Sequence, residues 1–345
     1  MFPSMTAPKR VDRRDIPGLR RPTSERRRMG FALLVVIWGL GLISLLVVSF
    51  ASSSRLRLRS AFDFASATRA KLASDGAVDI AIVTLLSERA NGEAGALHDG
   101  VPLLCALAGS VVAIAIEDEG GKIDLNSAPP DLLKAMLTGL GIDMRRADAV
   151  TNAIIEFRTP PTREIGLAIL SVGAADKPFP PKHRPFESIL ELDQVAGIDP
   201  ALFRELMSFV TIDRRGLSSA HRLKQGVDPH VTPPALFAAL AGFPREDVRT
   251  LKSAPFPNRL DREDPRFRPA FKTQSEHDAF RIRAEALLFT GQAAVSETLV
   301  DLNTDGGSQS YIIRESRIRE TLYLNRLRTF VETGATASLP NCWQP

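Results

Sequence analysis

The stretch that decides the fold runs from Phe31 to Ala51 and reads FALLVVIWGLGLISLLVVSFA, without one charged side chain. A helix rises about 1.5 Å per residue, so this stretch spans about 30 Å, the thickness of the hydrocarbon core of a bilayer. Its two glycines are compatible with such a helix, because glycine is common in membrane-spanning segments. The stretch therefore predicts a transmembrane helix.

A basic segment precedes the apolar stretch and sets its predicted orientation. Residues 1–30 contain nine lysine and arginine residues and three acidic ones, so residues 31–345 carry a net charge of −2 and the chain as a whole +4. Basic residues favour the cytoplasmic side of a membrane, although Arg55, Arg57 and Arg59 oppose this bias. The larger cluster predicts a cytoplasmic N-terminus, with residues 52–345 outside the inner membrane.

The composition is that of a folded globular protein, with 44% hydrophobic and 24% charged residues. These proportions exclude a disordered chain, a collagen-like chain and a membrane protein with many spans. A length of 345 residues predicts two or more domains.

The junction between the basic leader and the apolar stretch lies at Gly30–Phe31. A conventional signal peptide is an alternative, but this apolar run exceeds the usual ~7–15 residues and Ala51-Ser52-Ser53 is a weak cleavage site. The junction resembles the class III signal of type IV pilins and pseudopilins, whose prepilin peptidase cuts after glycine and leaves the apolar helix in place. The resemblance implies cleavage between Gly30 and Phe31, with Phe31 as the N-methylated mature N-terminus.

Val35 would occupy the fifth mature position, where most pilins carry glutamate. A carboxylate in lipid is costly unless it is paired, and in ordinary pilins it is held to pair with the N-terminus of the neighbouring subunit. Lack of this glutamate is typical of the K minor pseudopilin of type II secretion, also called general secretion pathway protein K (GspK). A subunit without it suits the tip of a filament.

The apolar helix is predicted to continue beyond the membrane to about residue 89. A stripe with helical periodicity extends to the turn signal Asn91-Gly92. It consists of Leu58, Phe62, Ala65, Leu72, Gly76, Ile80 and Val83. We expect one helix over residues 31–89 that packs on a globular head through this stripe; the alternative is two helices broken near Ser52–Ser54.

The remaining strand signals lie near both ends of the head. Leu103–Leu107 and Val111–Ile116, joined by Gly109-Ser110, predict a hairpin. Apolar and charged residues alternate in Phe280–Leu288, which indicates a half-buried antiparallel strand. Ala293–Leu302 and Gln309–Arg317 follow as further strands. We expect these closing strands to pair with the Val111–Ile116 region, so that the segment between them is an insertion.

That insertion is predicted to be helical and internally repeated. Ile123–Met136 aligns with Val227–Leu240 at an offset of 104 residues. Ser127 is the predicted N-cap of the first helix, with two prolines in its first turn. Glycine turns at Gly141 and Gly197 lie between helical patterns, which resemble helix-hairpin-helix units.

The segment IEDEGGKIDLNSAPPDLL, residues Ile116–Leu133, strongly resembles the K pseudopilin pattern of an acidic strand end, a glycine turn and a helix start. The resemblance implies an α+β fold: a long N-terminal transmembrane helix packed on a small antiparallel pseudopilin sheet, with a large inserted all-α domain of helix-hairpin-helix (SAM-like) units. The expected divisions are a leader at 1–30, the transmembrane helix at 31–51, helix and first strands at 52–123, the insert at 124–275, closing strands at 276–330 and a tail at 331–345.

The sequence contains no catalytic motif, so we expect a protein that is not an enzyme. The five histidines are scattered in predicted loops and are interpreted as solvated surface residues: His98, His183, His221, His230 and His277. Cys105 and Cys342 could pair in an oxidising compartment, but a buried Cys105 and a free cysteine in the tail are favoured.

One segment resembles a metal site. Asp301, Asn303 and Asp305, followed by Gly306, match the opening of an EF-hand calcium loop. The twelfth position is Ile312 instead of glutamate and strands flank the segment, so a hairpin loop of turn formers is the alternative. Glu117, Asp118 and Glu119 either add a carboxylate or form a solvated strand end. No cofactor is required, and calcium is the candidate ligand.

Helix-hairpin-helix units also occur in DNA-binding proteins, so a membrane-anchored periplasmic receptor for DNA uptake is the alternative function. Residues 121–215 contain 12 basic and 13 acidic residues, which argues against nucleic acid as a partner. The resemblance instead implies a structural minor pseudopilin that initiates a periplasmic pseudopilus and helps export folded proteins. Its implied partners are the I and J minor pseudopilins, other pseudopilins, the inner-membrane assembly platform and prepilin peptidase.

Overall fold

The structure is a computed structural model that describes residues 25–92, 98–160, 180–212, 225–253, 260–302 and 309–342. The chain divides into two units, Met1–Phe62 and Asp63–Pro345. Helix α1 (Glu25–Asn91) begins in the first unit and ends in the second. The prediction of one helix without a break near Ser52–Ser54 is therefore confirmed.

The second unit is built on a five-stranded antiparallel sheet in the order β1-β2-β5-β6-β7. Its strands are β1 (Leu103–Leu107), β2 (Ser110–Asp118), β5 (Ala279–Leu288), β6 (Ala293–Leu302) and β7 (Tyr311–Arg317). The central pair, β2 with β5, runs in register from Ser110 opposite Leu288 to Asp118 opposite Phe280. The predicted pairing of the closing strands with the first hairpin is thereby confirmed, and both halves of the sheet form one layer.

One face of the sheet is covered by the C-terminal part of α1. The buried side chains of α1 are small ones that permit close approach, such as Ala70, Ala77 and Ala81, together with Ile82 and Leu85. Of these, Ala77, Ala81, Ile82 and Leu85 pack against apolar residues of β2, β5 and β6. Ser74 adds a buried polar contact, because its hydroxyl lies 2.7 Å from that of Ser296 in β6.

The prediction that the apolar stripe of α1 meets the sheet is wrong. Leu58, Phe62, Leu72 and Val83 are exposed, Leu72 by 65%. The buried face lies roughly a third of a turn away, where alanine and serine alternate with aliphatic residues. Its small side chains let the helix backbone come close to the pleated sheet, and periodicity alone does not reveal this preference.

The opposite face of the sheet packs against α7 (Leu324–Glu332), through a cluster that includes Val111, Leu287 and Leu327. The chain then returns to β1, where the Ala106 amide donates to the Pro340 carbonyl at 2.8 Å. Cys342 forms a disulfide with Cys105 across 237 residues of sequence. The favoured prediction of two unpaired cysteines is wrong, because the tail runs beside β1 and brings the sulfur atoms together.

Between β2 and β5 lies a largely helical segment with its own apolar core. Its helices are α2 (Pro130–Gly139), α3 (Met144–Arg158), α4 (Pro200–Leu206), α5 (Pro234–Leu240) and α6 (Arg245–Ser253), and two short parallel strands accompany them, β3 (Ile123–Asp124) and β4 (Val210–Thr211). The backbones of α2 and α5 approach closely, since a Cβ added at Gly139 would lie 2.3 Å from the Ala239 carbonyl oxygen.

The predicted internal repeat is confirmed by matching hydrogen bonds. Asp124 accepts from the amide of Asn126 at 2.8 Å, and Asp228 accepts from the amide of His230 at 2.9 Å. The substitution of histidine for asparagine in the second copy thus leaves this turn intact, because the backbone amide makes the bond.

The two copies of the repeat also share an arginine at the same offset of 104. Arg158 donates to the Leu125 and Ala128 carbonyls, both at 2.6 Å. Arg262 donates to the equivalent carbonyls of Pro229 and Thr232, at 3.2 and 2.7 Å. Each guanidinium therefore satisfies backbone acceptors that precede a helix start.

The predicted N-cap of α2 is wrong. The capping position is Pro129, and the hydroxyl of Ser127 instead donates to the Asp124 carboxylate at 2.9 Å. Proline at the start of the helix leaves few amides that need a cap, so the serine is free to close the preceding turn.

Candidate functional site

The first candidate site is the apolar surface of α1 in the first unit. Its large apolar side chains are more than half exposed, including Trp38 at 74% and Phe50 at 75%. By length and composition this helix is able to cross a membrane, with a mean hydropathy of 2.8 in its most apolar window. Water solvates so large an apolar surface poorly, so this surface is suited to contact with lipid or with the apolar faces of other helices.

The predicted processing bond, Gly30–Phe31, lies within α1, whose assigned start is Glu25. The Phe31 side chain is 72% exposed, and Val35 forms part of the same apolar surface. Most of the leader, residues 1–24, lies outside the described residues. Cleavage at this bond and methylation of Phe31 stay predictions.

The predicted calcium ligands fall at the end of β6. Asp301 is described, and one of its carboxylate oxygens lies 3.3 Å from the Arg314 guanidinium on β7. Asn303 and Asp305 lie outside the described residues. Within the described ranges, no group of three His, Cys, Asp or Glu side chains is arranged to hold a metal ion. Calcium binding at this loop stays a prediction.

The acidic end of β2 is buried, so its interpretation as a solvated strand end is wrong for two of its three carboxylates. Asp118 accepts hydrogen bonds from the Gly120 amide at 2.7 Å and from the Ser275 hydroxyl at 2.8 Å. The His277 imidazole lies 2.5 Å from the other carboxylate oxygen, and this bond holds the pKa of His277 above its usual value. Asp118 thereby fastens the end of the insert to β2.

Glu119 and Lys122 form a fully buried ion pair with an N–O distance of 2.9 Å. Burial alone would raise the pKa of Glu119, but the charges of Lys122 and Arg281 outweigh it and lower this pKa to about 2. Burial opposes the charged form of Lys122 as well, yet Glu117 and Glu119 hold its pKa above the usual value. This network joins β2 to β5 at the base of the insert and needs all its members to remain ionised.

A second charged contact joins the repeat to the segment before β1. Arg262 forms an ion pair with Asp99, and both side chains are at most 10% exposed. Burial raises the pKa of Asp99 in spite of this pair. Arg262 therefore contacts carbonyls of the second repeat and a carboxylate of the segment before β1 with the same guanidinium group.

A cavity of about 730 Å³ lies between the end of α1, the second repeat and β5. Leu85 and Phe280 line it, and three of the five histidines lie at its wall. Each imidazole contacts a different carboxylate, since His98 lies 2.8 Å from Glu88 and His230 lies 3.2 Å from Glu263. The histidines are therefore arranged in separate pairs instead of around a common centre.

The interpretation of all histidines as solvated surface residues is wrong for His98. Its side chain is 11% exposed and packs edge-on against the Phe280 ring, with centroids 5.5 Å apart. His230 and His277 are partly exposed, as expected, with side chains at 56% and 42%. His221 lies outside the described residues.

Sequence reasoning missed two features of this region. The burial of Lys122 was not predicted, because a lysine that follows an acidic run is typical of a solvated loop. The second arginine, Arg262, was findable, since it repeats Arg158 at the offset of 104 that the helix starts already display.

Comparison with known proteins gives a likeness in structure. No protein-family model matches the chain, and no curated protein matches it. Among solved structures, the chain is similar to a chain in the crystal structure of the GspK-GspI-GspJ complex from the type 2 secretion system of enterotoxigenic Escherichia coli. The sequence identity is 17% and the TM-score is 0.49, and the match covers 77% of this chain and 100% of that chain.

Proposed function

We propose that this chain is a structural minor pseudopilin of a type II secretion system, of the K class. It is anchored in the inner membrane by a single helix, with its N-terminus cytoplasmic and its bulk periplasmic. It occupies the tip of the periplasmic pseudopilus, initiates its assembly and helps export folded proteins, without enzymatic activity of its own.

The observation that carries the proposal is the arrangement of α1 and the sheet. One helix supplies both the charge-free stretch Phe31–Ala51 and the small-residue face that covers the sheet. The sheet in turn combines strands from before and after the helical segment, so that this segment is an insertion in the head. These are the features expected of a pseudopilin with an enlarged head.

The disulfide supports the periplasmic side of this proposal. Disulfides persist in oxidising compartments and are rare in the bacterial cytosol. The Cys105–Cys342 bond lies in the second unit, which follows the charge-free stretch Phe31–Ala51 in the sequence. Retention of basic residues on the cytoplasmic side predicts the same orientation.

The proposed division of the chain follows the sequence expectations. Residues 1–30 are a leader removed by prepilin peptidase, and residues 124–275 are a largely helical insert of helix-hairpin-helix units. The expectation of an all-α insert is corrected by the short parallel pairing of β3 with β4. The rest forms the pseudopilin helix and head. The insert packs against protein and blocks addition of a subunit above it. Its balanced charge, 12 basic and 13 acidic residues over 121–215, does not favour the DNA receptor.

The proposed partners are the I and J minor pseudopilins, other pseudopilins and the inner-membrane assembly platform. The exposed stripe of α1 that contains Leu58, Leu72 and Val83 supports contact with other helices, because it continues the apolar surface beyond the predicted membrane stretch. The mature N-terminus would begin that surface at Phe31.

N-terminal sequencing of the membrane-bound protein tests the proposal. The expected first residue is Phe31, bearing one extra methyl group. Replacing Gly30 with leucine should leave the leader attached, while replacing Gly39, a glycine inside the apolar stretch, should leave cleavage unchanged. A mature chain that starts near Ser52, or one that keeps its leader, would overturn the pseudopilin interpretation.

A further inference from the structure

The two edges of the sheet differ in how they are protected. At the β1 edge, the Ala106 amide donates to the Pro340 carbonyl at 2.8 Å and the Cys342 amide donates to the Ala106 carbonyl at 3.1 Å. The disulfide between Cys105 and Cys342 holds the tail in this position. The first edge is therefore closed by the chain itself.

The β7 edge is open. Strand β7 pairs with β6 on one side, and the described part of the chain places no strand on its other side. Its apolar side chains are exposed on both faces of the sheet: Tyr311 by 38%, Ile312 by 46% and Ile313 by 50%. An uncovered strand with apolar side chains is a template for pairing with another chain, which proteins otherwise avoid at their edges.

The charge accessible along this edge is positive. The segment 311–319 contains three arginines and one glutamate. Two of the arginines contact carboxylates that lie deeper in β6: the Arg314 side chain is 28% exposed and that of Asp301 14%, while that of Arg319 is 33% exposed and that of Glu297 9%. The third, Arg317, pairs with Glu315 of β7 itself, and these two side chains are similarly exposed, at 36% and 30%. At Arg314 and Arg319, an approaching chain therefore meets the guanidinium group before it meets the acidic partner.

A groove of about 850 Å³ runs beside the edge, between the sheet and the insert. Seven cationic and five anionic side chains line it, which leaves a surplus of two positive charges. Exposed apolar side chains, Ile318 at 77% and Leu322 at 68%, lie at the same groove. The site thus combines backbone pairing groups, apolar contacts and positive charge.

A second copy of this chain pairs poorly over the full length of β7. Two-fold antiparallel pairing of the whole strand is centred on Arg314, its middle residue, and places this arginine directly opposite its own copy. Like charges directly opposite each other destabilise paired strands. A strand of opposite charge has no such conflict.

We propose that β7 is a docking strand for an extended acidic segment of another polypeptide, which adds to the sheet as a sixth strand. Backbone hydrogen bonds supply the affinity, and alternate side chains contact Ile312 and Ile313 on the two faces. The carboxylates of the segment pair with Arg314, Arg317 and Arg319. The proposal rests on the sheet edge and its charges and does not depend on the proposed function.

Peptide binding to the full chain in detergent micelles tests this docking strand. The probe is a fluorescent, end-blocked heptapeptide that alternates valine and glutamate, and its partner probe carries lysine in place of glutamate. We expect saturable binding of the acidic probe by anisotropy, no saturable binding of the lysine probe or of either probe to empty micelles, and slower amide hydrogen exchange over 311–317 in the complex.

Charge-reversal variants test whether the acidic probe binds at the arginines beside β7. The double variant Arg317→Glu, Arg319→Glu should weaken binding of the acidic probe about tenfold or more, because two attractions between opposite charges become repulsions. The matched control Arg328→Glu, an exposed residue of α7, should change binding less than twofold. If the double variant unfolds, Ile313→Thr provides the test through a loss of about threefold.

Several outcomes would overturn the proposal. Equal binding of both probes, absence of saturable binding, exchange protection outside β7, or equal weakening by Arg328→Glu would each remove the acidic strand site. A concentration-dependent dimer that Ile313→Thr disperses would make a second copy the occupant instead.

Discussion

Reduction of the Cys105–Cys342 disulfide should strongly destabilise the second unit. The bond closes a loop of 237 residues, most of that unit. In the chain-entropy description, such a cross-link lowers the entropy of the unfolded chain by an amount that corresponds to about 5 kcal/mol at 25 °C. Measured values are often smaller, so we expect a loss of about 3–5 kcal/mol in the free energy of unfolding.

The structure adds a local consequence. Without the bond, the tail is held beside β1 by the hydrogen bonds between Ala106 and residues 340 and 342. A few exposed backbone bonds at a chain end open easily, since little burial accompanies them. The β1 edge should therefore become accessible to hydrogen exchange before the rest of the sheet.

Pulse proteolysis across a urea series measures this effect on the full chain. The folded fraction should shift to lower urea in the presence of reductant, and the variant Cys105→Ala, Cys342→Ala should show the lower midpoint with or without reductant. Thiol titration confirms that reduction is complete. An unchanged midpoint in a chain with two free thiols would refute the reasoning.

Three further predictions concern the charged pairs of the second unit. Arg262→Met should cost about 3 kcal/mol of unfolding free energy by urea titration, since it leaves Asp99 buried without this partner, whereas a loss under 1 kcal/mol would contradict the paired arrangement. The pKa of Glu119 is lowered to about 2, so its ionised form should contribute roughly 3 kcal/mol to the free energy of unfolding. This contribution is present above pH 4.5 and is lost as the pH falls towards 2. The variant Glu119→Gln should therefore show a weaker dependence of unfolding free energy on pH in this acid range. His277 has its pKa raised by Asp118, so its contribution should be present below pH 6.5 and be lost as the pH rises through the higher folded value; NMR titration of the imidazole in wild type and Asp118→Asn checks the direction.

The buried charges of Glu119 and Lys122, with Arg281, affect how the sheet and the insert are joined. Removal of one charge from a buried pair is far more costly than removal of both, because the remaining ion loses its compensation. The network lies where the chain leaves β2 for the insert. It therefore favours one geometry at the junction of the sheet and the insert over others that bury the same apolar surface.

The internal repeat shows what a sequence comparison of a chain with itself can reveal. The offset of 104 between Ile123–Met136 and Val227–Leu240 predicts two equivalent helix starts, and the structure confirms them through Asp124 and Asp228. The same offset relates Arg158 to Arg262. The repeat therefore extends to the arginines that satisfy the carbonyls before each helix.

Local patterns were sufficient for most elements of the fold, although α7 and the short strands β3 and β4 were not predicted. A charge-free stretch over Phe31–Ala51, the alternation in Phe280–Leu288 and the turn signals between them depend on neighbouring residues, so the sequence by itself determined the helix, the strands and the helical insert. The pairing of the closing strands with the first hairpin was expected from the resemblance to pseudopilins, and the register of β2 with β5 confirms it.

Only the tertiary structure decided which surfaces meet. The sheet selected the alanine face of α1 over the stripe with Leu58 and Leu72, since close approach of the backbones matters more than the size of each side chain. The disulfide joins residues 237 positions apart, and Glu119, the buried partner of Lys122, also contacts Arg281 from β5. Such contacts depend on three-dimensional proximity, which no local pattern of residues encodes.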